Sequence, residues 1–102
     1  MRKDRYREIV VADGIKIVVE RSSGHPVEYA IMLLAYRDGA WRNVCTFDNA
    51  HDPEEHHEHG YIGDDKEPPD VTYGPVNEAM DRALLKLRES WADIVGIWEI
   101  TR

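Results

Sequence analysis

Four of the five histidines in this sequence fall within nine residues, from His51 to His59. Carboxylates surround them in the segment 48–65, which reads DNAHDPEEHHEHGYIGDD. Imidazole is the side chain whose ordinary pKa lies nearest neutrality, and it is also a common metal ligand. The segment is therefore predicted to be a proton-transfer site, a metal site, or a solvated acidic segment that happens to contain histidines.

The local backbone decides which histidines can act together. If the segment is extended, side chains alternate and His57 shares a face with His59. If residues 52–59 instead form a short helix, His56 and His59 share a face. His59 belongs to the pair in both geometries, so it is the first candidate for chemistry.

Proton transfer by two histidines would suit the cleavage of RNA. A general base and a general acid beside one phosphate suffice without a metal, because the 2′-hydroxyl is an internal nucleophile. The predicted acid–base pair is His57 and His59, with His56 or His51 assisting. Asp48 would orient one of the imidazoles.

Such a reaction also needs a cation to stabilise the charge that develops on phosphorus. Within the histidine segment Lys66 is the candidate. Arg42 would reach in from the preceding hairpin. Lys66 and Arg42 are thus the predicted substrate-binding residues.

The metal hypothesis uses the same side chains as ligands. His51, His57 and His59, with Asp48 or Asp64, would give a mixed nitrogen and oxygen set suited to Zn, Mn, Ni or Fe(II). The spacing matches neither HExxH nor paired CxxC. The predicted cofactor is therefore either none or a divalent metal.

Composition limits the class of protein. A length of 102 residues predicts one domain over residues 1–102. No apolar run is long enough for a membrane span, and the N-terminus lacks the apolar part of a signal peptide. The single cysteine, Cys45, excludes an internal disulfide and favours the cytoplasm.

The net charge of −7 is unevenly distributed. Residues 48–70 carry nine acidic side chains and one basic one, a charge of −8, whereas the rest carries 11 acidic and 12 basic ones, a charge of +1. This weakens an RNA-binding role without excluding it, because phosphate contacts depend on local basic patches. One such patch could form from Arg2, Lys3, Arg5 and Arg7, although a solvated basic terminus is the simpler interpretation.

The sequence predicts an α+β fold for the elements that would position the histidines. β-branched and apolar runs predict about five antiparallel strands, at residues 7–12, 15–20, 27–37, 40–48 and 94–101. The length of the run 27–37 and its Ala, Met and Leu content leave a helix as the alternative there. Asp13-Gly14 and Asp38-Gly39 predict tight hairpin turns. Helical spacing of apolar residues over 76–91 predicts one long amphipathic helix packed on one face of the sheet.

A His- and acid-rich loop is predicted between these elements, at residues 48–73. Trp41, Cys45 and Phe47 are expected on one face of the strand before it, so Cys45 is interpreted as a core residue and not as a nucleophile. An exposed sheet edge would allow a homodimer.

Two short motifs resemble the TumE family of bacterial toxin–antitoxin toxins, or a related small uncharacterised family that shares an Asp-Asn-Ala-His motif. They are Phe47-Asp48-Asn49-Ala50 and His56-His57-Glu58-His59, and the resemblance extends over residues 28–92. Members usually carry an Arg where this chain has Thr46. The resemblance implies a growth-inhibiting toxin that acts on RNA and is neutralised by a helix-turn-helix antitoxin. The alternative hypothesis is a non-catalytic binding module whose acidic loop engages a metal ion or a basic protein partner.

Overall fold

An antiparallel meander followed by one long helix makes up the computed structural model, which describes residues 4–102 apart from the side chain of His51. These residues form seven strands and one helix: β1 Arg5–Ala12, β2 Ile15–Arg21, β3 Tyr29–Arg37, β4 Ala40–Asp52, β5 Glu55–Ile62, β6 Asp65–Lys66, β7 Asp70–Tyr73 and α1 Val76–Thr101. Neighbouring strands pair antiparallel from β1 to β5, and β6 and β7 both pair with β5. The predicted α+β class is confirmed, with more strands than the five expected.

The two predicted hairpin turns are present. Asp13-Gly14 joins β1 to β2, and Asp38-Gly39 joins β3 to β4. Asp38 and Gly39 have φ of 56° and 83°, and Gly14 has φ of 72°. Such positive φ values give a two-residue turn the twist that the flanking strands require.

Helix α1 packs across β3, β4 and β5, so it covers one of the two faces of the sheet. On the face that α1 covers, here called the helix face, the apolar side chains of alternate strand residues meet those of the helix. Ile17, Ile31, Leu33 and Phe47 pack there with Met80, Ala83, Leu87, Val95 and Trp98. We call the opposite side the open face; strand alternation places Val18, Ala30 and Thr46 on it.

A β-bulge in β4 corrects the predicted face of Trp41. Leu33 pairs with Cys45 and Leu34 pairs with Asn43, so Val44 is the extra residue. An inserted residue reverses the alternation of the strand. Cys45 therefore lies on the helix face, buried as predicted, whereas Trp41 lies on the open face opposite Tyr36.

The strand predicted at residues 94–101 is wrong, because α1 continues to Thr101. Its β-branched residues favour a strand locally, but Val95 and Trp98 continue the helical spacing of Leu87 and are buried in the core. Tertiary packing outweighs local propensity here. No helix among the described residues is long and apolar enough to cross a membrane.

The loop predicted at residues 48–73 is also corrected, since most of this segment is strand. β4 runs on to Asp52, and β5 pairs with β4 on one side and with β7 on the other. Tight turns at Pro53-Glu54 and Gly63-Asp64 separate the strands. The segment lacks the alternation of apolar residues that would predict a strand. Its strands are held instead by backbone hydrogen bonds between β5 and its neighbours β4 and β7, which composition does not reveal.

Candidate active site

Strand β5 sorts its three histidines onto the two faces of the sheet. His57 and His59 alternate with His56, so they lie side by side on the open face. Their ring centroids are 6.0 Å apart. The extended geometry is the one observed, and the helical pairing of His56 with His59 does not occur.

A carboxylate holds the imidazole of His57. Nε2 of His57 lies 2.9 Å from Oε1 of Glu55, so the ring donates through this nitrogen. The residue is 8% exposed. Asp48, predicted to orient a histidine, lies directly opposite His57 in the β4–β5 register, and its Oδ1 accepts the backbone amide of Ala50.

The imidazole of His59 is more accessible than that of His57. Its Nδ1 lies 2.7 Å from the carbonyl oxygen of Glu67, an acceptor, so this nitrogen carries the proton. Nε2 is then the basic nitrogen, and it makes no hydrogen bond within residues 4–102. His59 is half-buried and can present this nitrogen to a ligand.

Further polar side chains line the same face. Thr46 lies opposite His59 in the register, and its Oγ1 is 3.3 Å from the hydroxyl of Tyr61. Lys66 lies opposite Tyr61, so alternation places its side chain on the open face as well. Of the two predicted cations, Lys66 is thus the one that shares a face with the histidine pair.

Arg42 is not at this site, which corrects the prediction. It lies opposite Ala35 on the helix face and forms an ion pair with Asp64, with Nη1 to Oδ2 at 2.8 Å. The bulge at Val44 is the cause, because it changes the alternation of β4 between Arg42 and the residues beside the histidines.

His56 is a structural residue, which corrects its predicted assisting role. It is buried on the helix face, where Nε2 donates to the carbonyl oxygen of Gly74 at 2.8 Å and Nδ1 accepts from the hydroxyl of Tyr29 at 2.8 Å. Burial, with a smaller contribution from the charge of Asp48, raises the pKa of Tyr29 to about 12. Both ring nitrogens of His56 are therefore engaged in joining β5 to β3 and to the start of α1.

The predicted metal set of His51, His57 and His59 stays a prediction, because the structure describes only part of it. The side chain of His51 lies outside the described part of the chain. Among the side chains that are described, no three His, Cys, Asp or Glu residues are grouped so that they could hold a metal ion. The geometry of His57 and His59 is accordingly interpreted as a pair.

Three residues of the site, Glu55, Tyr29 and Glu67, were not predicted from the sequence. Glu55 could have been predicted, because it lies two residues from His57 and therefore shares its face along an extended strand. No sequence feature indicated a role for Tyr29 in the site, because it begins an apolar run and is typical of a core residue. The hydrogen bond from His59 to the carbonyl oxygen of Glu67 depends on a turn that no side-chain pattern predicts.

Fold and site together define a small α+β protein with a histidine pair on the open face of its sheet. The chain belongs to the DUF7718 family, a domain of unknown function whose sequence model matches residues 1–99. Comparisons with curated proteins and with solved structures find no match.

Proposed function

We propose that the protein cleaves RNA at the open-face histidine pair, by acid–base chemistry that needs no metal. The observation that carries the proposal is the 6.0 Å separation between the ring centroids of His57 and His59. Hydrogen bonds of about 2.8 Å from two such rings can reach different oxygens of one phosphodiester.

In the proposed reaction His59 is the general base and His57 the general acid. Nε2 of His59 takes the proton of the ribose 2′-hydroxyl, and the 2′-oxygen forms a bond to phosphorus. The bond from phosphorus to the 5′-oxygen breaks, and the protonated imidazole of His57 gives its proton to that oxygen. The products are a 2′,3′-cyclic phosphate and a 5′-hydroxyl, and proton exchange with solvent restores both imidazoles.

Two neighbouring residues support these roles. The carboxylate of Glu55 keeps the ring of His57 in one orientation through Nε2. The ammonium group of Lys66, on the same face, would stabilise the negative charge that develops on the phosphorane.

The motifs at residues 47–50 and 56–59, which resemble TumE toxins, support a toxin-like role for this cleavage. In that role RNA cleavage would arrest growth, and a helix-turn-helix antitoxin would neutralise it. Expression of the wild type should then arrest growth, and the paired change His57→Ala/His59→Ala should not. Co-expression of a helix-turn-helix protein encoded beside the gene should restore growth with the wild type.

An in vitro assay tests the chemistry directly. Purified protein is incubated with RNA in the presence of EDTA, and products are analysed for 2′,3′-cyclic ends. His59→Gln should lower the cleavage rate at least 100-fold, within the range for loss of one acid–base group. His25→Gln is the matched control, because His25 is exposed in the connection between β2 and β3 and is not one of the paired histidines.

His57 is buried, so circular dichroism must show that any His57 variant is folded, whereas the more accessible His59 tests the site without that concern. Equal rates for wild type and His59→Gln, or cleavage abolished by EDTA, would contradict the proposed mechanism. Binding of a metal ion or a basic protein without any cleavage would favour the alternative, a non-catalytic binding module.

A further inference from the structure

We infer that a groove between β1 and the start of α1 binds the phosphate group of a nucleotide. The groove has a volume of about 490 Å³ and is lined by β1, β2 and the first turns of α1. It lies on the helix face at the β1 end of the sheet, whereas the histidine pair lies on the open face of β5. This inference therefore does not rest on the proposed cleavage of RNA.

Three arginines converge in the groove. Arg5 lies opposite Arg21 in the β1–β2 register, and Arg7 lies two residues from Arg5 on the same face. Like charges placed opposite each other on paired strands repel. Within residues 4–102, no hydrogen bond or ion pair engages any of the three guanidinium groups, although Arg5 is close enough to Asp4 for its charge to help lower the pKa of that exposed carboxyl.

Most other cations near the sheet have carboxylate partners, which makes the arginine groove distinctive. These ion pairs are Lys16–Glu8, Arg37–Glu99, Arg42–Asp64, Lys86–Glu58 and Arg102–Asp38. In a chain with a net charge of −7, acidic side chains are plentiful. Unpaired arginines gathered on one face are therefore best explained by an anion that comes from outside the chain.

Arg21 provides a second, independent observation. Its Nε is buried and finds no acceptor among the described residues. Buried N–H donors without an acceptor are uncommon because they lose their hydrogen bond to water and gain none in return. An oxyanion in the groove, met by a small rotation of the guanidinium group, would supply the acceptor.

The rest of the lining indicates a ligand larger than inorganic phosphate. Val19, Met80 and Leu84 form an apolar part of the wall, which a nucleobase ring could cover. Asn77 and Asp81 add an amide and a carboxylate that can hydrogen-bond to a base or a ribose hydroxyl. A volume of about 490 Å³ is in the range of small-molecule sites. A nucleotide, either free or at the 5′ end of an RNA, combines an anion, a ring and hydrogen-bonding edges.

Calorimetric titration tests the inference with defined ligands. The four nucleoside 5′-monophosphates are compared with adenosine, inorganic phosphate and a poly-glutamate peptide. At least one monophosphate should bind ten or more times more tightly than any of these three. Arg7→Gln and Arg21→Gln should each weaken that binding at least tenfold, and the change Arg88→Gln, in an exposed arginine of α1 outside the groove, should leave it unchanged.

The source of the nucleotide is distinguished with a short RNA carrying either a 5′-phosphate or a 5′-hydroxyl. The titration uses the variant His57→Gln/His59→Gln, so that cleavage does not interfere. Preference for the phosphorylated RNA identifies an RNA end as the ligand, and binding of the free monophosphate alone identifies a nucleotide. Equal binding of monophosphate and adenosine, tightest binding of the acidic peptide, or equal loss in Arg7→Gln and Arg88→Gln would overturn the inference.

Discussion

Asn49 joins three segments of the chain beside the histidine pair. It is 1% exposed, and its Oδ1 accepts the backbone amide of Tyr29 at 2.9 Å. Its Nδ2 donates to the carbonyl oxygens of Val27 and Pro53, at 2.8 and 3.1 Å. Residues 49–51 of β4 form a bulge in which three residues lie opposite one residue of β5, His56. The bulge interrupts the backbone hydrogen bonds between β4 and β5, and the Asn49 side chain supplies hydrogen bonds in their place.

We therefore expect Asn49→Ala to be strongly destabilising. The buried amide of Tyr29 and two partly buried carbonyl groups would lose their partner. Each unsatisfied buried group costs about 1–3 kcal/mol, so a loss of about 2 kcal/mol or more is expected. Urea denaturation measures this change in the free energy of unfolding. Asn43→Ala, at an exposed position of the same strand, is the control and should stay within about 0.5 kcal/mol of the wild type. A similar small effect for Asn49→Ala would refute the structural role of this side chain.

At the scale of single residues, the pairing of the histidines was partly predictable from the sequence. Alternation along a strand is enough to bring His57 and His59 together once the segment is known to be extended. The burial of His56 could not be predicted, because it depends on Tyr29 and Gly74, which are 27 and 18 residues away in the chain. Contacts of that range arise from the fold as a whole and leave no local pattern.

At the scale of elements, the C-terminal half of α1 closes one end of the core. Trp98 is buried, and its Nε1 donates to the carbonyl oxygen of Gly63 at 3.1 Å, in the turn between β5 and β6. This one side chain therefore connects the last turns of the helix to the strand that carries the histidines.

Truncation of this residue should show that the segment 94–101 is packed as a helix. We expect Trp98→Ala to lower the free energy of unfolding by about 3–5 kcal/mol, as is usual for a buried Trp. In the same segment Ile97 is 65% exposed, so Ile97→Ala should change stability by about 0.5 kcal/mol or less. A strand with alternating burial would give comparable costs at positions of equal parity, such as Trp98 and the exposed Ile100. Chemical denaturation of Trp98→Ala, Ile97→Ala and Ile100→Ala separates these outcomes.

Two bulges mark the limit of what sequence patterns could predict for the strands. The first hairpins were predictable, because Asp-Gly turns and β-branched runs are strong local signals. The bulges, at Val44 and at residues 49–51, have no such signal, yet they decide which face Arg42 and Asn49 occupy. Register in β4 is set by packing against both neighbouring strands, which a single-strand pattern does not contain.

At the scale of the whole molecule, charge is separated between the two candidate sites. The segment 48–70 carries −8 and contains the histidine pair, whereas the arginine groove lies at the β1 end of the sheet. Such a separation would favour anionic ligands at one end of the molecule and limit unspecific RNA binding at the other.

The core also predicts how stability depends on pH. Burial, with a smaller contribution from Glu58, raises the pKa of Cys45 to about 12, and burial raises the pKa of Tyr29 to about 12. Their ordinary values are 9.0 and 10.0. Both pKa values are higher in the folded chain than in the unfolded chain. The contribution of these two groups to stability is therefore complete well below about pH 9, where both stay protonated in the folded and in the unfolded chain. Between about pH 9 and 12 the unfolded chain releases these protons first, so stability falls as pH rises.

Cys45→Ala isolates one of these contributions. Each group that ionises only on unfolding adds a slope of at most about 1.4 kcal/mol per pH unit. The variant should therefore lose stability less steeply than the wild type from pH 9 upward, even though its stability at pH 7 is lower because a buried side chain is truncated. Val44→Ala, a neighbouring truncation without a titratable group, should lower stability at every pH and keep the slope of the wild type. Urea denaturation from pH 7 to 11 measures both slopes, and an unchanged slope for Cys45→Ala would show that the thiol ionises alike in the folded and unfolded chain.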